Sequence, residues 1–114
     1  MTRLHVLGSG SKGNAFALEH EGRLLILEAG FSLREIDRRL DRAGLDPARV
    51  DGVAVTHEHG DHLDIELIKD LKKAETLLFC NENSASKVSW GMVMLAGDRQ
   101  EIDNIIIEAV PAYN

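Results

Sequence analysis

Three histidines and an aspartate fall within six consecutive residues, His57-Glu58-His59-Gly60-Asp61-His62. The apolar segment 52–56 precedes them and is typical of a buried strand, so the cluster is expected in the loop at a strand's carboxyl end. In an extended chain, side chains at positions i and i+2 point the same way, so His57 and His59 can face one ion. Gly60 permits the bend that would bring Asp61 and His62 to a second ion.

This cluster predicts a metal site that holds one or two ions through His57, His59, Asp61 and His62. Nitrogen and carboxylate ligands of this kind suit zinc, with manganese or iron as alternatives. Glu58 is expected to point away from the two flanking histidines and is not assigned as a ligand. The alternative is a polar surface loop in which Asp61 caps the following helix.

The remaining pattern alternates strands and helices and predicts one α/β (α+β) unit, residues 1–114. Strands are predicted at 4–7, 14–19, 23–28, 52–56, 76–80, 92–95, 100–102 and 105–110. Helices are predicted at 33–43, 64–73 and 83 to about 90. A chain of 114 residues fits a single hydrophobic core.

The composition limits the classes of partner that we expect this protein to bind. The net charge of -6 argues against sequence-independent binding to the backbone of a nucleic acid, so nucleic acid is expected only as a substrate. No apolar run approaches the roughly 20 residues of a membrane helix, and Gly8 interrupts the first apolar segment too early for a signal peptide. We therefore expect a cytoplasmic protein, with its single cysteine, Cys80, in the core.

Two further patterns have ordinary explanations. Gly8-x-Gly10-x-x-Gly13 matches a dinucleotide-binding fingerprint, but a strand rather than a helix is predicted to follow it. The glycines instead predict a tight turn near the metal loop, where Ser9, Ser11 or Lys12 could contact substrate. The charged residues of the first helix predict a solvated face, and they are Glu35, Asp37, Arg38 and Arg39.

The spacing His-x-His-x-Asp-His after Thr56 resembles the metal motif of the metallo-β-lactamase superfamily. Residues 1–62 resemble bacterial exonuclease-like members, through the segments 8–14, 24–30 and 50–52. Residues 63–114 resemble archaeal members, especially at 101–104 and 110–114. Arginine also gives way to lysine near the motif, with seven Arg and one Lys in 1–62 but one Arg and four Lys in 63–114. A hybrid or engineered half-domain would explain that change, and chance in small counts is the alternative.

The resemblance implies half of an αββα sandwich, a mixed sheet with helices on one face. It also implies that His57 and His59 bind a first metal, that Asp61 and His62 bind a second, and that a metal-activated water attacks a phosphoryl or carbonyl centre. Asp61 would be catalytic as well, by orienting that water. Glu28 stands where the family usually has Asp, and the family's remaining ligands would lie beyond residue 114.

Three functions stay open at this point. The first is a metal-dependent hydrolase, with at most weak action on phosphodiesters or another small-molecule substrate. The second is a non-enzymatic metal-binding folding unit or engineered fragment, and the third is an interaction domain with an incidental motif.

We also expect a homodimer and no membrane partner. The apolar strands at 24–27 and 53–55 would leave a sheet face open, and a second copy could cover that face and complete the metal site.

Overall fold

The computed structural model describes residues 1–56, 63–71, 76–88, 91–102 and 104–110. Within these ranges the chain forms a mixed main sheet whose strands follow one another in space as they do in sequence. They are β1 (Thr2–Gly8), β2 (Ala15–His20), β3 (Arg23–Leu27), β4 (Gly52–Ala54), β5 (Leu77–Cys80) and β6 (Met92–Val93). The α/β class predicted from the sequence is confirmed.

Strand direction brings several chain segments to one edge of the sheet. Strands β1, β2 and β3 are antiparallel neighbours, whereas β3, β4, β5 and β6 are parallel. The carboxyl ends of the four parallel strands therefore lie at the same edge, together with the turn that joins β1 to β2. Ligands of open α/β sheets bind at this carboxyl edge.

Three helices cover one face of the sheet within the described residues: α1 (Leu33–Arg42), α2 (Ile65–Leu71) and α3 (Glu82–Val88). Ser32 caps α1, since its side chain accepts a hydrogen bond from the Glu35 amide. The buried residues Ile36 and Leu40 of α1 share one core with Ile26 and Val53 of the sheet. The prediction of helices on one face is confirmed.

A two-stranded hairpin covers the middle of the opposite face. It consists of β7 (Arg99–Ile102) and β8 (Ile105–Glu108). Ile102 and Ile105 form a second core with Leu25 and Phe79. The sequence predicted that the strands at 24–27 and 53–55 would leave a sheet face open. That prediction is wrong for the part of the sheet that the hairpin covers, where Leu25 is only 2% exposed. The sequence predicted the hairpin strands but not where they would pack.

Several predicted boundaries change for local reasons. Strand β4 ends at Ala54 rather than at residue 56, and β3 ends before Glu28, whose φ of 66° leaves the extended region. Asp64 caps α2 by accepting from the Leu67 amide, and Asn81 caps α3 by accepting from the Ser84 amide. A helix begins after its cap, so α2 starts at residue 65 and α3 at residue 82.

No helix in the described ranges is both long and apolar enough to cross a membrane. Cys80 is 3% exposed in the core between the sheet and the helices, as predicted.

Candidate metal centre

Glu28 fixes the end of β4 that leads into the histidine motif. Its carboxylate is buried, and Oε1 accepts from the Thr56 amide at 2.7 Å while Oε2 accepts from the Thr56 hydroxyl at 3.0 Å. The Glu28 amide in turn donates to the Ala54 carbonyl at 2.7 Å. Two of these bonds hold Thr56, the residue immediately before the motif, and the third joins Glu28 to Ala54 at the end of β4.

The next residue, Ala29, holds the other end of the motif. Ala29 forms an isolated parallel bridge with Leu63, and its carbonyl accepts from the Asp64 amide at 2.5 Å. Residues 28 and 29 therefore anchor both the start and the finish of the segment 57–62. Both anchors lie at the carboxyl edge of the parallel strands, where the sequence predicted the site.

The proposed ligands themselves, His57, His59, Asp61 and His62, lie outside the described residues, as does Glu58. Their assignment as ligands stays a prediction. Among the residues that the structure does describe, no group of three or more His, Cys, Asp or Glu could hold a metal ion.

The other two histidines, His5 and His20, have partners of their own among the described residues. His5 Nε2 is 2.8 Å from Glu19 Oε1 on the neighbouring strand. His20 Nδ1 is 2.6 Å from the Thr2 hydroxyl, at the opposite end of β2 from the glycine-rich turn.

The glycine-rich turn lies beside the anchor and encloses a cavity of about 320 Å³ with Phe31 and Arg39. The Gly30 amide donates to the Asn14 carbonyl at 3.1 Å, which joins this turn to the strand end at Glu28 and Ala29. Strand β2 begins at Ala15, so no helix follows the glycines, and the turn that the sequence predicted is confirmed.

Arg39 corrects the prediction of a fully solvated helix face. Its guanidinium lies 4.2 Å from the Phe31 ring centroid, and its Nη1 donates to the Leu7 carbonyl at 2.5 Å. Nε donates to Glu35 Oε2 at 3.2 Å, an i, i+4 pair within α1. Helical spacing alone could suggest the pair with Glu35, but the contacts with Leu7 and Phe31 depend on tertiary packing.

A second, largely apolar cavity of about 460 Å³ lies at the same edge on the hairpin side of the sheet. It is lined by the ends of β4 and β5, by Met94 and by residues 107–110, and it reaches Thr56.

The model of the metallo-beta-lactamase superfamily matches residues 8–63, which contain the glycine-rich turn, Glu28 and the whole histidine motif. Residues 8–63 belong to the metallo-beta-lactamase superfamily. Exodeoxyribonuclease WalJ of Streptococcus pneumoniae is 40% identical over 58 residues, which are 51% of this chain and 22% of the relative.

Solved structures extend the likeness to most of the chain. A candidate metal-dependent hydrolase from Parabacteroides distasonis is 31% identical, with a TM-score of 0.65 over 87% of this chain and 42% of that one. BJP-1, a subclass B3 metallo-beta-lactamase of Bradyrhizobium japonicum, is 14% identical, with a TM-score of 0.76 over 96% of this chain and 49% of that one. The chain thus has the metallo-beta-lactamase fold over about half the length of these structures.

Proposed function

We propose that this chain is the metal-binding half of a metallo-beta-lactamase-fold hydrolase that acts on phosphodiesters. The observation that carries the proposal is the double anchor: Glu28 and Ala29 hold both ends of the segment 57–62 at the carboxyl edge of the sheet. A structural loop needs no such support from a buried carboxylate, whereas ligands of a metal ion must be held in place to bind well.

The donor set of the anchored segment fits zinc. His57 and His59 would hold one ion and Asp61 and His62 a second, with manganese or iron as alternatives. A metal held there would lower the pKa of water and stabilise negative charge on a phosphoryl group. Asp61 would orient the attacking water, and Glu28 would keep the ligand segment aligned through Thr56.

Phosphodiesters are proposed as substrates because a relative that is 40% identical over 58 residues is named an exodeoxyribonuclease. The surroundings are consistent with such a substrate, since the glycine-rich turn offers hydrogen-bond donors beside the anchored segment. The proposal concerns substrate class only, because the chain spans 22% of that relative's length.

We further propose that two copies pair through the apolar surface that the hairpin leaves uncovered. Leu4 and Val6 on the edge strand β1 are 59% and 64% exposed and face the hairpin side with Leu18. Since the chain corresponds to about half of the solved structures, a second copy could supply both a cover for this surface and further ligands. Hydrolysis by such a pair would be weak, because two-metal catalysis depends on ligand placement.

Metal analysis of the purified chain tests the proposed site. After mild dialysis against zinc-containing buffer and removal of free metal, we expect one or two zinc ions per chain. The double variant His57→Ala/His59→Ala should bind less than about a fifth of that amount, whereas His5→Ala should keep it, since His5 pairs with Glu19 on β1 and β2. Less than about 0.2 zinc per wild-type chain would contradict the proposal.

Hydrolysis of bis(p-nitrophenyl) phosphate with zinc or manganese tests the activity. We expect weak turnover that disappears in His59→Ala and with a chelator. Stoichiometric zinc without turnover would favour the second function, a metal-binding folding unit without enzymatic activity. Neither zinc nor turnover would favour an incidental motif.

A further inference from the structure

The glycine-rich turn carries polar groups that the fold itself does not use. The hydroxyls of Ser9 and Ser11 and the ammonium group of Lys12 are exposed, and they form no hydrogen bond or ion pair with the described chain. The turn is closed by other atoms, since the Gly13 amide donates to the Gly10 carbonyl and the Gly10 amide donates to Asn14 Oδ1. The amides of Ser11 and Lys12 are left to solvent or to a ligand.

Arg39 adds a fixed positive charge to the same cavity. Its Nε and Nη1 are held by Glu35 and by the Leu7 carbonyl, and its plane is held against Phe31. Its Nη2 has no acceptor within the described residues. A guanidinium held in this way needs little reordering to bind an anion.

The cavity has two cationic side chains in its lining although the chain as a whole is acidic, and Glu35 pairs with one of them, Arg39. It is lined by Lys12, Arg39 and two serines, and no Asp or Glu is among its lining residues. Successive backbone amides in a glycine-rich turn, with a lysine and an arginine nearby, are the groups that proteins use to hold phosphate. An apolar ligand would leave these donors unsatisfied.

We infer that this cavity binds a backbone phosphate other than the one that is cleaved, so that the substrate is a polynucleotide strand rather than an isolated phosphodiester. This inference rests on the proposed phosphodiesterase function. The Asn14 carbonyl of the turn bonds to Gly30, and the adjacent Ala29 pairs with Leu63 at the end of the motif segment. The turn and the described end of the motif segment are thus joined through consecutive residues, Ala29 and Gly30, at one edge of the sheet.

Binding of a fluorescein-labelled single-stranded oligothymidylate of eight nucleotides to the full chain, in zinc-containing buffer, tests the inference. At about 50 mM salt, we expect Lys12→Gln to raise the dissociation constant at least fivefold and to lower the slope of log affinity against log salt by about one. Lys87→Gln is the matched control, because Lys87 is an exposed lysine on α3, far along the chain from the cavity. It should stay within twofold of wild type.

The outcomes separate this inference from the proposed function. Equal weakening by Lys12→Gln and Lys87→Gln, or none by either, would overturn the inference. Absence of oligonucleotide binding, with bis(p-nitrophenyl) phosphate still hydrolysed, would also overturn it and would leave the hydrolase intact. Binding that depends on Lys12, without any hydrolysis, would support the phosphate site and count against the hydrolase.

Discussion

Glu28 joins the end of β3 to the residues that precede the histidine motif. Its φ of 66° lies in the left-handed region, which costs a residue with a side chain about 1–2 kcal/mol. The two hydrogen bonds from Thr56 to its buried carboxylate offset this cost, because bonds to charged groups contribute about 1.5–3 kcal/mol each. A strained backbone is thus kept where it holds Thr56, the residue before the motif.

We predict that Glu28→Ala lowers the free energy of unfolding by about 2–4 kcal/mol, since it keeps the strained backbone and leaves the Thr56 amide and hydroxyl without this acceptor. Urea denaturation followed by circular dichroism measures the change. Zinc affinity should also fall, by about 10- to 100-fold. Glu101→Ala, at an exposed position of β7, is the control and should change stability by less than about 0.5 kcal/mol. Equal midpoints for the two variants would contradict the role of Glu28.

Alanine substitutions at Gly13 and Gly22 would lower stability for different reasons, namely steric crowding at Gly13 and backbone strain at Gly22. A Cβ at Gly13 would lie 2.7 Å from the Gly30 carbonyl oxygen and 2.6 Å from Phe31, whereas at Gly22 it would meet nothing within 4 Å but would sit at a φ of 82°. We predict that Gly13→Ala costs about 2–3 kcal/mol and Gly22→Ala about 1 kcal/mol in thermal or urea unfolding. The reverse order would mean that the turn can move away from Gly30.

At the scale of single residues, the sequence was a better guide to which residues are important than to which atoms they contact. The histidine spacing singled out residues 57–62, and Glu28 stood out against the family pattern. The bonds from Glu28 to Thr56 and the place of Arg39 over Phe31 could not be predicted, because each joins residues whose proximity depends on the packed fold. Periodicity identifies the face of a helix but not its neighbour.

Among the elements, β5 is the strand whose chemistry is simplest to test. Burial raises the pKa of the Cys80 thiol above its ordinary value. The unfolded chain therefore loses this proton at a lower pH than the folded chain. The stability that the neutral thiol contributes is present below the unfolded pKa of about 8.5 and falls as the pH rises through the higher folded pKa.

We predict that iodoacetamide alkylates Cys80 in the folded protein at least about 100-fold more slowly than in denaturant at pH 8, because the reactive thiolate is both inaccessible and disfavoured. The mass of the intact chain reports the reaction directly, since Cys80 is the only cysteine. Similar rates in the two conditions would show that β5 opens readily in solution.

Element order was predictable because the alternation of apolar strands with capped helices is strong throughout the described chain. The hairpin of β7 and β8 shows the limit of that reasoning. Strand β7 ends at Ile102 and β8 begins at Ile105, on either side of the position where the sequence predicted the turn, and Asn104 Nδ2 donates to Glu21 Oε2 in the turn between β2 and β3. This pairing spans 83 residues, and no local pattern encodes it.

At the scale of the whole molecule, we expect two copies of the chain to associate through the edge strand β1. We predict that the wild-type chain is a dimer in light scattering at tens of micromolar and that Val6→Glu makes it a 12.6 kDa monomer, because a carboxylate on this apolar surface would be costly to bury. Val6 is 64% exposed in the single chain, so the substitution should not unfold it.

Ser86→Glu adds the same charge at an exposed position of α3, on the helix-covered side, and should leave the dimer unchanged. If the wild-type chain stays monomeric across the concentration series and still binds zinc tightly, pairing does not complete the site. Loss of the dimer in both variants would mean that net charge, rather than the β1 surface, controls association.

The double anchor also makes two amide protons report on one event. The Thr56 amide is bonded to Glu28 and the Asp64 amide to Ala29, so both bonds break if this short stretch pulls away from the strand end. In hydrogen–deuterium exchange we therefore expect the two amides to exchange at matched rates, although eight positions separate them in the chain. Zinc should slow both together, and Glu28→Ala should speed both together. Unequal responses would show that the two ends of the motif open independently.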